Sequence, residues 1–151
     1  MNYMKALYLP LLGLLVCASP VQAEESELID GVLEYMEFTE YQGGNILPEQ
    51  IPAADWKNFH VIDTRRDEDY AVDHIAGAVH IEWRQLAERR NEIPSDKPVI
   101  VYCNTGSLSA QGAFALKLLG YDNVKVLTGG YDGFKSKGGL QAYERAANPR
   151  L

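Results

Sequence analysis

The run Pro98-Val99-Ile100-Val101-Tyr102 constrains the fold more than any other part of the chain. Its residues favour the extended state, and apolar side chains follow one another without the alternation of a half-exposed strand. A strand that is apolar on both faces belongs inside a parallel sheet covered on both sides. The surrounding sequence supplies the rest of such a sheet. His60-Val61-Ile62-Asp63 reads as a short buried strand, and about Arg66 to Asp73 as a charged helix. Ala78-Val79-His80-Ile81 is a second strand, and Trp83 to Asn91 a second helix. After the central run, Ser109 to Leu119 predicts a helix closed by Gly120 as its C-cap. Ala110, Ala113, Phe114, Ala115, Leu116, Leu118 and Leu119 make that helix apolar nearly all round, so it is expected to be buried. Asn123 to Leu127 is another strand, and Tyr131 to Lys137 a final helix or turn. Strands alternating with helices define an α/β fold.

Upstream, residues 26 to 38 place Leu28, Ile29, Val32, Leu33 and Met36 on one helical face, with Ser26 able to cap the start. Gly43-Gly44 ends this segment, and Pro48 suits the first turn of a short helix. A chain of 151 residues suits one domain with a single core.

In open parallel sheets, ligands bind beyond the carboxyl ends of the strands. Cys103 falls there, at the end of the strongest strand. It begins the loop Cys103-Asn104-Thr105-Gly106-Ser107-Leu108-Ser109, between a buried strand and an apolar helix. Small residues let such a loop curl so that successive backbone N–H groups point inward, and the following helix adds its positive end. A thiolate held there has a depressed pKa and is a usable nucleophile at neutral pH. The same N–H groups suit a persulfide anion or a substrate oxyanion.

The N-terminus reads as an export signal. Lys5 precedes an apolar run over residues 6 to 18, and Val21-Gln22-Ala23 is followed by Glu24 and Glu25. The run is shorter than the ~20 residues of a spanning helix, so stable membrane insertion is not expected. Cleavage after Ala23 gives a periplasmic or secreted product beginning at Glu24. It also removes Cys17 and leaves Cys103 as the lone thiol. A net charge of −7 disfavours nucleic acid as a partner. Three scattered histidines and one cysteine make no metal site. His60 and His80 receive no role.

Ile62-Asp63-Thr64-Arg65, then Tyr70, then His74-Ile75-Ala76-Gly77-Ala78-Val79-His80-Ile81 resembles the rhodanese-domain pattern. Val101-Tyr102-Cys103 through Gly106 to Ser109 resembles its active-site loop. Leu127-Thr128-Gly129-Gly130-Tyr131-Asp132-Gly133-Phe134 resembles its closing signature. The resemblance covers residues 46 to 137, leaving 24–45 as a helical extension and 138–151 as a tail. It implies a parallel five-stranded sheet flanked by helices, with no cofactor. It further implies transfer of a sulfane sulfur from a small donor, thiosulfate or related, to a thiol or cyanide-like acceptor. Cys103 is then the sulfur carrier, and Asn104, Thr105, Gly106, Ser107, Leu108 and Ser109 line the pocket. Asp63 and Arg65 are paired scaffold residues near it, and His74 is structural.

One departure bears on the donor. Many thiosulfate-using relatives of that family carry Arg or Lys late in the loop, where this chain has Ser107-Leu108. Thiosulfate is then expected to bind weakly, or a neutral donor to be preferred, unless Arg65, Arg66 or Arg84 supplies the charge. A catalytically weak binding or sulfur-carrier module is the main rival reading. A phosphatase or arsenate reductase needs an arginine six residues after the cysteine, and here that residue is Ser109. A Cys-x-x-Cys oxidoreductase lacks its second cysteine.

Overall fold

The computed structural model describes residues 20–41 and 43–148. The apolar run over 6–18 lies outside these residues, and the Ala23-Glu24 junction falls within the first helix, α1 (Pro20–Phe38). Ser26 is therefore inside α1 and does not cap its start. Five strands follow: β1 (Asn45–Ile46), β2 (His60–Asp63), β3 (Val79–His80), β4 (Val99–Tyr102) and β5 (Val124–Leu127). They form one parallel sheet in the order β1-β5-β4-β2-β3. The helices are α2 (Asp67–Val72), α3 (Ser107–Leu118), α4 (Gly130–Lys137) and α5 (Ala142–Ala147). Among the described residues, no helix is long and apolar enough to cross a membrane.

The central run sits where its composition requires. β4 lies between β2 and β5, and all four of its residues are buried. Ile100 and Tyr102 join the apolar cluster on one face of the sheet, with Trp56, Ile75, Tyr131 and Phe134. Val99 and Val101 join the cluster on the other, with Ile81, Leu86, Ala113 and Leu116. Period-two alternation along one strand thus feeds two cores.

Several expectations need correction. The first strand, β1, was missed because its two residues carry no pattern. Backbone bonds alone define it, from Val126 N–H to the Gly44 carbonyl and from Thr128 N–H to the Ile46 carbonyl. The helix expected over Trp83 to Asn91 is two short 3-10 turns, Trp83–Gln85 and Arg90–Glu92. Leu86 is the one fully buried side chain in that stretch, too little to hold a longer helix. Leu86 packs where a Cβ on Gly112 would stand, so α3 approaches it closely.

α3 itself buries one face only. Ser109, Gly112, Ala113 and Leu116 are buried, whereas Phe114 and Leu119 are exposed. A helix lying on a sheet needs an apolar stripe, not an apolar circumference. α1 touches its outer side through Tyr35, edge-on to Phe114 at 5.0 Å between ring centroids. Leu28, Ile29, Leu33 and Met36 of α1 stay exposed. α3 ends with Leu119 as its cap residue, and Gly120, one position later, takes the positive φ of +87°. Residues after 137 carry α5, whose Glu144 accepts the Ala53 N–H at 3.1 Å.

Candidate active site

Cys103 follows directly on β4, and its side chain is 4% exposed. Gly106 adopts φ +100°, which only glycine reaches without strain, and it caps α3. The helix therefore starts at Ser107, two residues earlier than the sequence pattern predicts. This tight entry turns the backbone back on the thiol. The Gly106 N–H donates to Cys103 Sγ at 3.2 Å, and the single Ser109 hydroxyl proton is shared between the sulfur at 3.6 Å and the Gly106 carbonyl at 3.1 Å. Burial alone pushes the thiol pKa up. The Ser109 backbone N–H and hydroxyl, with the N–H groups of Thr105 and Gly106, outweigh that and hold it below its ordinary value.

A cavity of about 380 Å³ opens above the sulfur. Asn104, Thr105, Ser107 and Leu108 line it together with Cys103, while Gly106 and Ser109 reach the sulfur by hydrogen bonds. The sequence motif groups the six loop residues as one wall, and the fold divides their work. The opposite wall brings Thr64, Arg65, Arg66, Asp69, Glu82, Trp83 and Arg84. Of these, Thr64, Asp69, Glu82 and Trp83 carry no sequence signal of their own. Thr64 is fully buried and donates its hydroxyl to the Tyr102 carbonyl at 2.9 Å.

Asp63 and Arg65 form the expected pair. Arg65 Nη2 lies 2.6 Å from Asp63 Oδ2, and Nε lies 3.0 Å from Oδ1. Burial works against the guanidinium charge, and the Asp63 carboxylate more than offsets it, so the Arg65 pKa is raised. The same guanidinium donates to the Asp73 carbonyl at 2.6 Å and reaches Asn104 Oδ1 at 3.5 Å. It also lies over the Tyr131 ring, 4.2 Å from the centroid. Burial and the hydrogen bond to Asp73 push the Tyr131 phenol up to about 12. Arg65 thus links β2, α4 and the cysteine loop.

The Gly129-Gly130 pair supports that loop from the other side. Tyr131 N–H donates to the Cys103 carbonyl at 2.8 Å, and Asp132 N–H to the Asn104 carbonyl at 3.0 Å. Gly130 has φ +59°, and a Cβ there would collide with both carbonyls. The glycine is required by this close approach. His74 stacks on Tyr70 at 4.0 Å between ring centroids and holds the Tyr70 carbonyl through Nδ1 at 2.9 Å. His80, given no role from sequence, contacts the carbonyl of Arg65, itself a residue of the cavity wall.

The Ser109 hydroxyl gives a first test of these contacts. Ser109→Ala removes one donor to sulfur and leaves the backbone donors in place. The donor lowers the thiol pKa, so its loss raises it. The pH dependence of Cys103 alkylation by iodoacetamide is then expected to move to higher pH. An unmoved profile would show that the backbone alone sets the thiol.

Comparison with known proteins agrees with this geometry. The family profile described as rhodanese-like domain matches residues 47–137. Protein YqhL of Bacillus subtilis is 37% identical over 93 residues, covering 62% of this chain and 71% of that protein. Thiosulfate sulfurtransferase GlpE of Pseudomonas entomophila is 33% identical over 91 residues, covering 60% of this chain and 84% of its own length. Among solved structures, a rhodanese-related protein from Thermoplasma volcanium superposes with a TM-score of 0.58 at 25% identity. It covers 63% of this chain and 93% of that one. The matched segment is well over half of the chain and holds the cysteine loop, its scaffold pair and the glycine support, so the chain belongs to the rhodanese-like domain family.

Proposed function

We propose that this chain is a sulfurtransferase that carries a sulfane sulfur as a persulfide on Cys103. The observation that carries the reading is the thiol itself, buried, held below its ordinary pKa by hydrogen bonds, and facing a cavity. The GlpE relatives, named thiosulfate sulfurtransferases, support it. In the first step the thiolate attacks the outer sulfur of thiosulfate. The donor S–S bond breaks, sulfite leaves with the electron pair, and the sulfur stays on Cys103. In the second step a thiolate or cyanide attacks that outer sulfur, and the bonding pair returns to Sγ. The N–H groups of Thr105 and Gly106 and the Ser109 hydroxyl face the charge in both states. Intact-mass measurement tests this. Thiosulfate or another sulfane donor is expected to add one sulfur atom, and cyanide to remove it.

The cavity's cations suit an anionic donor only in part. Arg66 and Arg84 lie on the wall, but Arg84 Nε is 3.0 Å from Glu82 and Arg66 Nε is 3.6 Å from Asp69. Leu108, 40% exposed, lines the cavity with no charge of its own. These shared charges favour a second reading, a weakly catalytic binding or sulfur-carrier module. Leu108→Arg separates the two. If the missing cation limits anion binding, the variant lowers KM for thiosulfate by about tenfold, the worth of one charge-assisted hydrogen bond. An unchanged KM in a folded variant would mean that a wall arginine already supplies the charge.

We also propose export, with cleavage after Ala23 and a periplasmic or secreted product. N-terminal sequencing of the exported protein is expected to begin at Glu24. Retention of residues 1–23 would overturn this.

A further inference from the structure

Both ring nitrogens of His80 face hydrogen-bond acceptors. Nε2 lies 2.8 Å from the Arg65 carbonyl oxygen, and Nδ1 lies 3.3 Å from Asp67 Oδ1. The ring stacks on Tyr70 of α2 at 4.7 Å between centroids. Its side chain is 19% exposed, whereas Asp67 is open to solvent at 93%. The charged and titratable groups around it are the Asp67 carboxylate and the Tyr70 phenol from α2, with Arg65, two residues past β2, meeting it through the backbone carbonyl. Arg89 donates to the His80 carbonyl at 3.4 Å from behind the strand.

A neutral imidazole has one N–H. If Nε2 carries it, the Nδ1 lone pair faces the Asp67 carboxylate. If Nδ1 carries it, the Nε2 lone pair faces the Arg65 carbonyl. Only the imidazolium donates to both. Arg65 and Asp67 flank Arg66, whose exposed side chain is on the wall of the Cys103 cavity.

We propose that His80 is a positioning residue for the Cys103 cavity. Through its contacts with the Arg65 carbonyl and the Asp67 carboxylate, it holds the 65–67 turn and keeps the Arg66 cation at the cavity mouth. His80 does not touch the sulfur and acts through the turn. The inference rests on Cys103 being the reacting atom of the proposed function.

Alkylation of Cys103 tests it without requiring sulfur transfer. Iodoacetate and iodoacetamide attack the same thiolate, so the ratio of their rates cancels the thiolate fraction. That ratio reads the positive charge at the mouth. His80→Phe keeps a ring on Tyr70 but donates nothing. It is expected to lower the ratio by about threefold or more, the size of one charge contact near the surface. His80→Gln keeps one N–H for the Arg65 carbonyl and is expected to restore part of the ratio. A folded His80→Phe variant whose ratio equals that of the unaltered protein, or a His80→Gln ratio no higher than that of His80→Phe, overturns the proposal. Failure here leaves persulfide loading standing, and failure of loading leaves this ratio readable.

Discussion

Cys103→Ser is expected to give a folded protein that neither takes up a sulfur atom nor passes one on. The substitution changes little in packing, because serine has nearly the shape of cysteine and the site is already polar on one side. The Gly106 N–H and the Ser109 hydroxyl, which meet Sγ at 3.2 and 3.6 Å, remain available to an oxygen. The chemistry changes completely. A serine hydroxyl stays protonated where the hydrogen bonds around Cys103 favour a thiolate. Cys103 is the one free cysteine of the described residues, so no second thiol stands in for it. Turnover is expected to fall by a factor on the order of 10³ or more, as when a nucleophile is removed from a covalent mechanism. The intact mass with a sulfane donor, and thiocyanate release with cyanide, measure both halves. Turnover that survives in the variant rules out the persulfide route. If the unaltered protein gains no sulfur from any donor tested, the binding-module reading becomes the better one.

The central strand and its cysteine were legible because burial on both faces leaves a plain pattern. Val99 to Tyr102 could not be half-exposed, and the parallel sheet then set Cys103 at the carboxyl edge. The glycines were legible as punctuation, though not in their reasons. Gly106 turns the loop under the sulfur, and Gly130 clears two carbonyls that belong to the cysteine loop. That second role depends on a contact between segments 26 residues apart in sequence, which no local pattern encodes. The same holds for the cavity wall. Asp69, Glu82 and Trp83 carry no signal, and Arg66 and Arg84 stay candidates without a place, until β2 and β3 pair and bring their following turns together. β1 was invisible because its two residues are recruited by the edge of β5 and carry no pattern of their own. The exposed stripe on α1 shows the converse. Apolar periodicity fixed the helix but not what its face meets.

The Asp63–Arg65 pair carries the largest expected effect on stability. Asp63 is fully buried and the Arg65 side chain is 6% exposed, so neither has water as an alternative partner. Asp63→Ala leaves the guanidinium charged and unpaired beneath Tyr131, with its bonds to the Asp73 carbonyl and Asn104 as the remaining contacts. Breaking a buried pair by removing one partner costs about 3–5 kcal/mol. A domain of this size has about 5–15 kcal/mol in total, so the variant is expected to lose much of its margin. Denaturant unfolding measures the loss. The test that distinguishes charge from packing is the double variant Asp63→Ala with Arg65→Met. It removes the unpaired charge and keeps a long apolar side chain over Tyr131. Its stability is expected to recover by at least about 1 kcal/mol relative to Asp63→Ala, because the two residues interact directly and their effects do not add. If the double variant is as unstable as the sum of the two single ones, the pair does not act as a unit. Persulfide loading in the double variant gives a second reading. Cys103, Gly106 and Ser109 are untouched, so a thiol that still reacts while the protein is folded would assign Asp63 and Arg65 to support of the loop. A folded double variant whose thiol no longer reacts would place their charge in the reaction itself.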